Sequence, residues 1–250
     1  MSRLLVSTFV LLALFGSSLG LSGGVKASRG QFPYHVSIQT ADEFGNYCGG
    51  SILNSKWILT AATCIISPNT TLYYIMAGTT DWTNLDKSGT IFNVSEVVVH
   101  PENANNRAID LALIKVKQEI KFTDTIKSVD LPYRDLTSQY LPVKITAWGA
   151  ASSNTVETSI RDLHYFTSRI VAQDRCLQKY TWLKETEMCL ISRRNYGICF
   201  KDVGSPVVIH DKYQVAIATN RVTCGSGDPD QVIRIWNYVD WIKSVIKNII

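Results

Sequence analysis

The chain has 250 residues, 46% of them hydrophobic and 18% charged, with a formal net charge of +4 and six cysteines. That is ample for a buried core and too weakly basic to argue for nucleic acid or heparin as a partner. There is no basic run, low-complexity tract, internal repeat or Pro-rich linker, so one domain follows the leader.

Residues 1–20 read as a secretory signal. Arg3 supplies the positive start, the run LLVSTFVLLALF is apolar, and GSSLG places Ser18 and Gly20 at the spacing a signal peptidase requires. The run is short for a membrane span, so the mature protein is expected outside the cell, free of the membrane, from residue 21 to 250. After the leader, short apolar and β-branched runs succeed one another: YHVSIQ, GGSILN, WILTAA, LYYIMAG, IFNVSEVVVH, LALIKV, VKITAWG, PVVIH, YQVAIAT and QVIRIW. Turn signals such as FGN, SPNT, KSGT, SSNT, HDK and GSGDPD separate them. Many short strands between turns predict an all-β sandwich or barrel, and helical runs of the kind an α/β sheet needs are scarce. The last segment, NYVDWIKSVIKNII, is different. Val239, Ile242, Val245, Ile246 and Ile249 repeat with helical spacing and predict a C-terminal helix packed on the core. A shorter helix is expected at VAQDRCLQKY.

Cys48, Cys64, Cys176, Cys189, Cys199 and Cys224 all follow the leader, and none are in a C-x-x-C arrangement. In an exported chain this predicts disulfides rather than a zinc site, with fifteen pairings open on spacing alone. Asn69-Thr70-Thr71 and Asn93-Val94-Ser95 are candidate glycosylation sites.

Six stretches, in order, resemble the chymotrypsin/trypsin-like serine protease family: GQFPYHVSIQ, CGGSIL with WILTAATC, DLALIKV, ITAWG, KDVGSP and NYVDWI. The likeness runs from about Leu21 to the C-terminus. It implies two antiparallel six-stranded β-barrels with a site in the cleft between them and a terminal helix. It also implies the pairing Cys48 with Cys64, Cys176 with Cys189 and Cys199 with Cys224.

The chemistry of that family needs a serine nucleophile, a histidine base and a carboxylate that orients the histidine. By resemblance the histidine position here is Thr63, and the serine position is Val203. A threonine hydroxyl is no general base near neutral pH, and valine carries no nucleophile. Only Asp110 of the three is retained. A lone buried carboxylate must find other partners, and the Thr63 hydroxyl, backbone N–H groups or water are the expected ones. Lys201 stands where the family has an oxyanion-hole glycine. Ser205, two places past Val203, is the alternative nucleophile; in that reading the protein is an active serine endopeptidase. His35, His100, His164 and His210 align outside the site.

The specificity pocket is changed as well. Gly197 replaces the aspartate of trypsin-like members, Phe200 is placed to cap the opening, and Arg221 and Asp230 replace two pocket glycines. Three readings of the last two are open: Asp230 recognises a cation, Asp230 pairs with Arg221 and closes the pocket, or both are solvated loop charges. The tetrapeptide LSGG, Leu21 to Gly24, matches the family's mature N-terminus, but the leader precedes it directly. Cleavage after Gly20 would present the Leu21 amine to Asp202. No cofactor or metal is expected, since AGTTDWTNLDKSGT does not clearly supply the carboxylates of the family's calcium loop. Together these features predict a secreted protease homologue without catalysis, monomeric on its own. It is expected to act by binding a protein: a protease, an inhibitor or a receptor.

Overall fold

The structure, a computed structural model, describes residues 24–41, 47–83, 89–106, 109–149, 161–219 and 224–247. Residues 1–20, Leu21 and Arg221 lie outside the described residues.

The first barrel is closed by β2 (His35–Thr40), β3 (Cys48–Ile52), β4 (Trp57–Thr60), β5 (Tyr73–Ala77), β6 (Thr90–Val99) and β7 (Ala112–Val116), in the order β2-β3-β4-β7-β6-β5. The second uses β8 (Pro142–Ala147), β9 (His164–Ile170), β10 (Glu187–Ile191), β11 (Pro206–Ile209), β12 (Tyr213–Ala218) and β13 (Asp230–Arg234). Its order is β9-β10-β13-β12-β11-β8, and the pairing of β8 with β9 closes it. A two-residue strand, β1 (Val25–Lys26), joins the outer edge of β9 through Val25 opposite Tyr165. All named strand pairs are antiparallel.

The predicted runs become strands because their branched side chains fill the barrel interiors. Ile38, Ile52, Ile58, Leu59, Ile75, Leu113 and Ile114 are fully buried in the first barrel, and Ile145, Leu190, Val207, Ile209 and Val232 in the second. Each such side chain contributes about 1.5–3 kcal/mol of transfer free energy. The strands β1, β9 and β10 and the short helix α1 (Pro101–Asn106) were not foreseen. In β9 the inward positions include His164 and Ser168, so polar residues interrupt the apolar side of the alternation.

The helix at the end, α3 (Val239–Lys247), buries Val239 and Ile242 and packs Val245 and Ile246 against the first barrel's core. Asp240 in its first turn and Lys247 in its last complement the helix dipole. The shorter predicted helix forms as α2 (Gln173–Lys179) and buries Cys176. The disulfides are Cys48–Cys64, Cys176–Cys189 and Cys199–Cys224.

Polar bonds tie the two barrels together along the cleft. The Ser51 hydroxyl on β3 donates to Gln214 Oε1 on β12 at 2.6 Å, with both residues buried. His35 Nδ1 on β2 and Thr146 Oγ1 on β8 share a hydrogen bond of 2.7 Å. The Gly49 N–H donates to the Val203 carbonyl at 2.8 Å.

Candidate functional site

The cleft site is assembled from three segments. After β4 the chain makes a tight 3-10 turn, Ala62–Cys64, closed by the Ile65 N–H to the Ala62 carbonyl at 2.9 Å and anchored to β3 by the Cys48–Cys64 disulfide. The turn leaves Thr63 exposed at the cleft while Ala62 and Cys64 point inward. Asp110 sits just before β7, half-buried.

Thr63 and Asp110 meet in a two-pronged contact. The Thr63 backbone N–H donates to Asp110 Oδ1 at 2.7 Å, and the Thr63 hydroxyl donates to Asp110 Oδ2 at 3.1 Å. Both carboxylate oxygens are engaged, as a partly buried carboxylate requires. The Thr63 hydroxyl, at the position of the family's base, is a donor to an acceptor-only group.

The third segment runs from Cys199 to Ser205. The Asp202 N–H donates to the Cys199 carbonyl at 3.1 Å and the Ser205 N–H to the Asp202 carbonyl at 3.0 Å, so the chain turns twice in succession. Lys201 adopts φ 68°. This left-handed conformation costs a non-glycine residue about 1–2 kcal/mol, so the loop keeps a glycine-type backbone after losing the glycine. Gly204 follows at φ 80°, and a Cβ there would meet Thr60 Oγ1 at 2.3 Å and the Gly49 carbonyl at 2.4 Å. No side chain fits that space. Val203, between them, is half-buried and packs against the first barrel's core.

Ser205 is 1% exposed, and its Oγ has no hydrogen-bond partner among the described residues. Its Oγ lies against the Gly49 Cα, so close that a Cβ on Gly49 would fall 2.2 Å away. A hydroxyl in that position cannot reach a substrate. The histidines are committed elsewhere. His35 bonds Thr146 and packs on the Trp148 ring at 4.7 Å; burial lowers its pKa to about 3. His100 packs between Tyr238 and Trp241, its pKa also lowered by burial. His164 Nδ1 bonds the Asp162 carbonyl at 2.8 Å, and exposed His210 sits in a turn at φ 54°. Gly49 is the site residue that the sequence reading passed over. The signal was present, because a Gly-Gly pair inside a strand marks a close backbone approach.

At the pocket, Asp230 is 2% exposed and its Oδ2 accepts from the Ile198 N–H at 3.2 Å. The reading of Asp230 as a solvated loop charge is therefore corrected: its place at the start of β13 turns it inward. Gly197 faces it closely, since a Cβ on Gly197 would stand 3.2 Å from Asp230 Oδ2 and 2.7 Å from the Gly225 backbone nitrogen. Phe200 is 41% exposed. Asp202 is fully buried. Its Oδ2 accepts from the Cys199 N–H at 2.7 Å, while Oδ1 has no partner among the described residues. Burial, reinforced by the nearby Asp230 charge, pushes the Asp202 carboxyl well above the usual carboxylate range.

The acceptor residues of both sequons, Asn69 and Asn93, are exposed. Asn69 accepts from the Thr71 N–H at 3.1 Å and the Thr71 hydroxyl at 2.9 Å, and the Asn93 N–H donates to Gln118 Oε1 at 3.2 Å. Among the described residues no helix is long and apolar enough to cross a membrane.

Two closed antiparallel barrels, a terminal helix and a cleft loop of this shape define the chymotrypsin-like fold. Residues 21–242 match the trypsin family model, and the chain belongs to the trypsin-like serine protease family. It is 31% identical over 222 residues to chymotrypsin-2 of Vespa crabro, covering 88% of this chain and 97% of that protein. Venom serine protease 34 of Apis mellifera is 28% identical over 236 residues, covering 89% of this chain and 57% of that one. The solved structure of human heparin binding protein superposes with a TM-score of 0.78 at 26% identity, covering 90% and 96% of the two chains.

Proposed function

We propose that this member of the family is a secreted homologue without proteolytic activity that acts by binding, as a cofactor, decoy or regulator of extracellular proteolysis. One observation carries the reading. At the place where the family holds its base and its nucleophile, Thr63 is bound to Asp110 through two hydrogen bonds and Val203 packs against the core. General-base catalysis needs a group that takes a proton near neutral pH, and nucleophilic catalysis needs a lone pair on a reachable atom. This arrangement supplies neither, and the buried Ser205 is no substitute. A protease without its triad retains only about 10³–10⁴-fold over the uncatalysed rate.

The scaffold around the lost chemistry is complete: both barrels, the three disulfides and the double turn at Asp202. Function resides in sites carried by a fold, so a cleft can persist for recognition after its chemistry is gone. Human heparin binding protein, of the same fold, carries a binding activity in its name. The leader and the name of the Apis relative support export.

The test is labelling of the folded, purified protein with a serine-directed fluorophosphonate, alongside turnover of a mixed peptide library. Neither label nor cleavage is expected. Label and turnover that disappear in Ser205→Ala would establish a relocated nucleophile and overturn the proposal.

A further inference from the structure

Between the end of β10 and the cleft loop the chain carries Arg193 and Arg194, the one adjacent pair of basic residues in the sequence. Arg193, Arg194 and Asn195 are exposed in succession. They form the tip of a tight turn. The Tyr196 N–H donates to the Arg193 carbonyl at 2.9 Å, the Asn195 N–H donates to the Gly225 carbonyl at 2.8 Å, and Asn195 takes φ 67°. Asparagine tolerates that left-handed position in a turn. Both flanks are fixed. Before the tip, the Ser192 hydroxyl donates to Ser168 Oγ at 2.9 Å, and the Ser168 hydroxyl donates to the Ile191 carbonyl at 2.9 Å. After it, the Ile198 N–H donates to Asp230 Oδ2, and Cys199 is joined to Cys224.

Arg193 and Arg194 form no ion pair with a described residue. By contrast, Lys26, Lys144, Arg161 and Lys179 are ion-paired, and Arg169 and Arg175 lie within β9 and α2. No acidic residue stands between Cys189 and Phe200, so nothing along this stretch repels a binding pocket that holds a carboxylate. Opening the tip breaks the two turn hydrogen bonds and draws no buried side chain into water, because none of its three residues is buried. Exposed polar loop tips of this kind are where proteases enter a folded chain.

We propose that this turn is a processing site, at which an arginine-selective protease outside the cell hydrolyses the Arg194–Asn195 bond. Arg194 enters that enzyme's pocket, and its guanidinium pairs with the pocket's carboxylate. Water adds across the amide: the C–N bond breaks, the water oxygen ends on the Arg194 carboxylate, and its two protons end on the Asn195 ammonium. No disulfide bridges the cut, since Cys48–Cys64 and Cys176–Cys189 lie before it and Cys199–Cys224 after it. One piece carries β1 to β10 and the other β11 to β13 with α3, and they remain paired through β10 with β13 and β8 with β11. The cleft loop from Cys199 to Ser205 then loses its covalent link to β10, so the cut reaches the cleft without touching Thr63 or Asp110.

The probe enzyme is trypsin, added at a catalytic ratio to the full secreted chain under native conditions, with N-terminal sequencing and intact mass of the products. The first new N-terminus is expected at Asn195. The nicked protein should elute as one species under native conditions and separate into two pieces in denaturant without a reductant. The intact chain should survive about tenfold longer in Arg193→Ala/Arg194→Ala, both exposed positions, because the remaining sites open more rarely. A misfolded variant would be consumed faster, so it cannot mimic that result. The inference is overturned by a first cut at any other bond, by a parent chain that trypsin leaves intact, or by a variant consumed as fast as the parent. The cut is made by added trypsin, whereas fluorophosphonate labelling reads this chain's own chemistry, so this inference and the proposed lack of catalysis can each fail without the other.

Discussion

If Asp110 is retained as a structural acceptor, breaking its contact with Thr63 must lower stability. Thr63→Val keeps the shape and the backbone N–H but removes the hydroxyl that donates to Oδ2 at 3.1 Å. A hydrogen bond to a charged group contributes about 1.5–3 kcal/mol when buried. Here Thr63 is exposed and Asp110 half-buried, so solvent screening brings the expected loss to about 1 kcal/mol. In a domain of this size that is a fall of about 2–4 °C in Tm. The assay is urea and thermal unfolding of Thr63→Val, Asp110→Asn and the double variant. The coupling energy from the cycle should be about 0.5–1 kcal/mol. A Thr63→Val protein as stable as the parent, or one that loses as much in the Asp110→Asn background, would show that the contact contributes nothing and that another force fixes Asp110.

Two further expectations concern buried titratable groups. Burial lowers the His35 pKa to about 3, so its contribution to stability is present above the unfolded value of 6.5 and is lost as pH falls from 6.5 towards 3. Over that window stability should decline by up to about 1.4 kcal/mol per pH unit from this residue, and His35→Gln should flatten the profile of unfolding free energy against pH; an unchanged slope would refute the assignment. For Asp202 the sign is opposite. Its raised pKa means that its contribution is present below the ordinary carboxylate value of 3.8 and is lost as pH rises through the raised one, unless a cation reaches Oδ1. With the Leu21 amine as that cation, Asp202→Asn should destabilise a chain starting at Leu21 at neutral pH and stabilise one carrying extra residues before it. The same pH profile in both chains would eliminate the pairing.

Much of this protein is readable in the linear chain. Ten of its strand runs and the C-terminal helix announce themselves through pattern, because a side chain that must enter a barrel or a core stripe leaves its mark on the sequence. The replaced residues at Thr63 and Val203 are equally legible, since the chemistry they lack is a property of the side chains themselves. β9 was hidden by the inward His164 and Ser168, and the two-residue β1 is too short to carry any period.

The rest was decided only in three dimensions, by contacts between segments far apart in sequence. That Thr63 grips Asp110 with two donors depends on a turn after β4 meeting the chain before β7, 47 residues away. That Ser205 is unusable follows from the Cα of Gly49 on the other barrel, and that Asp230 is interior follows from its place at the start of β13. Composition and pattern specify which side chains are available and which must be buried. Which of them meet, and which lose access to solvent, is set by how the two barrels close against each other.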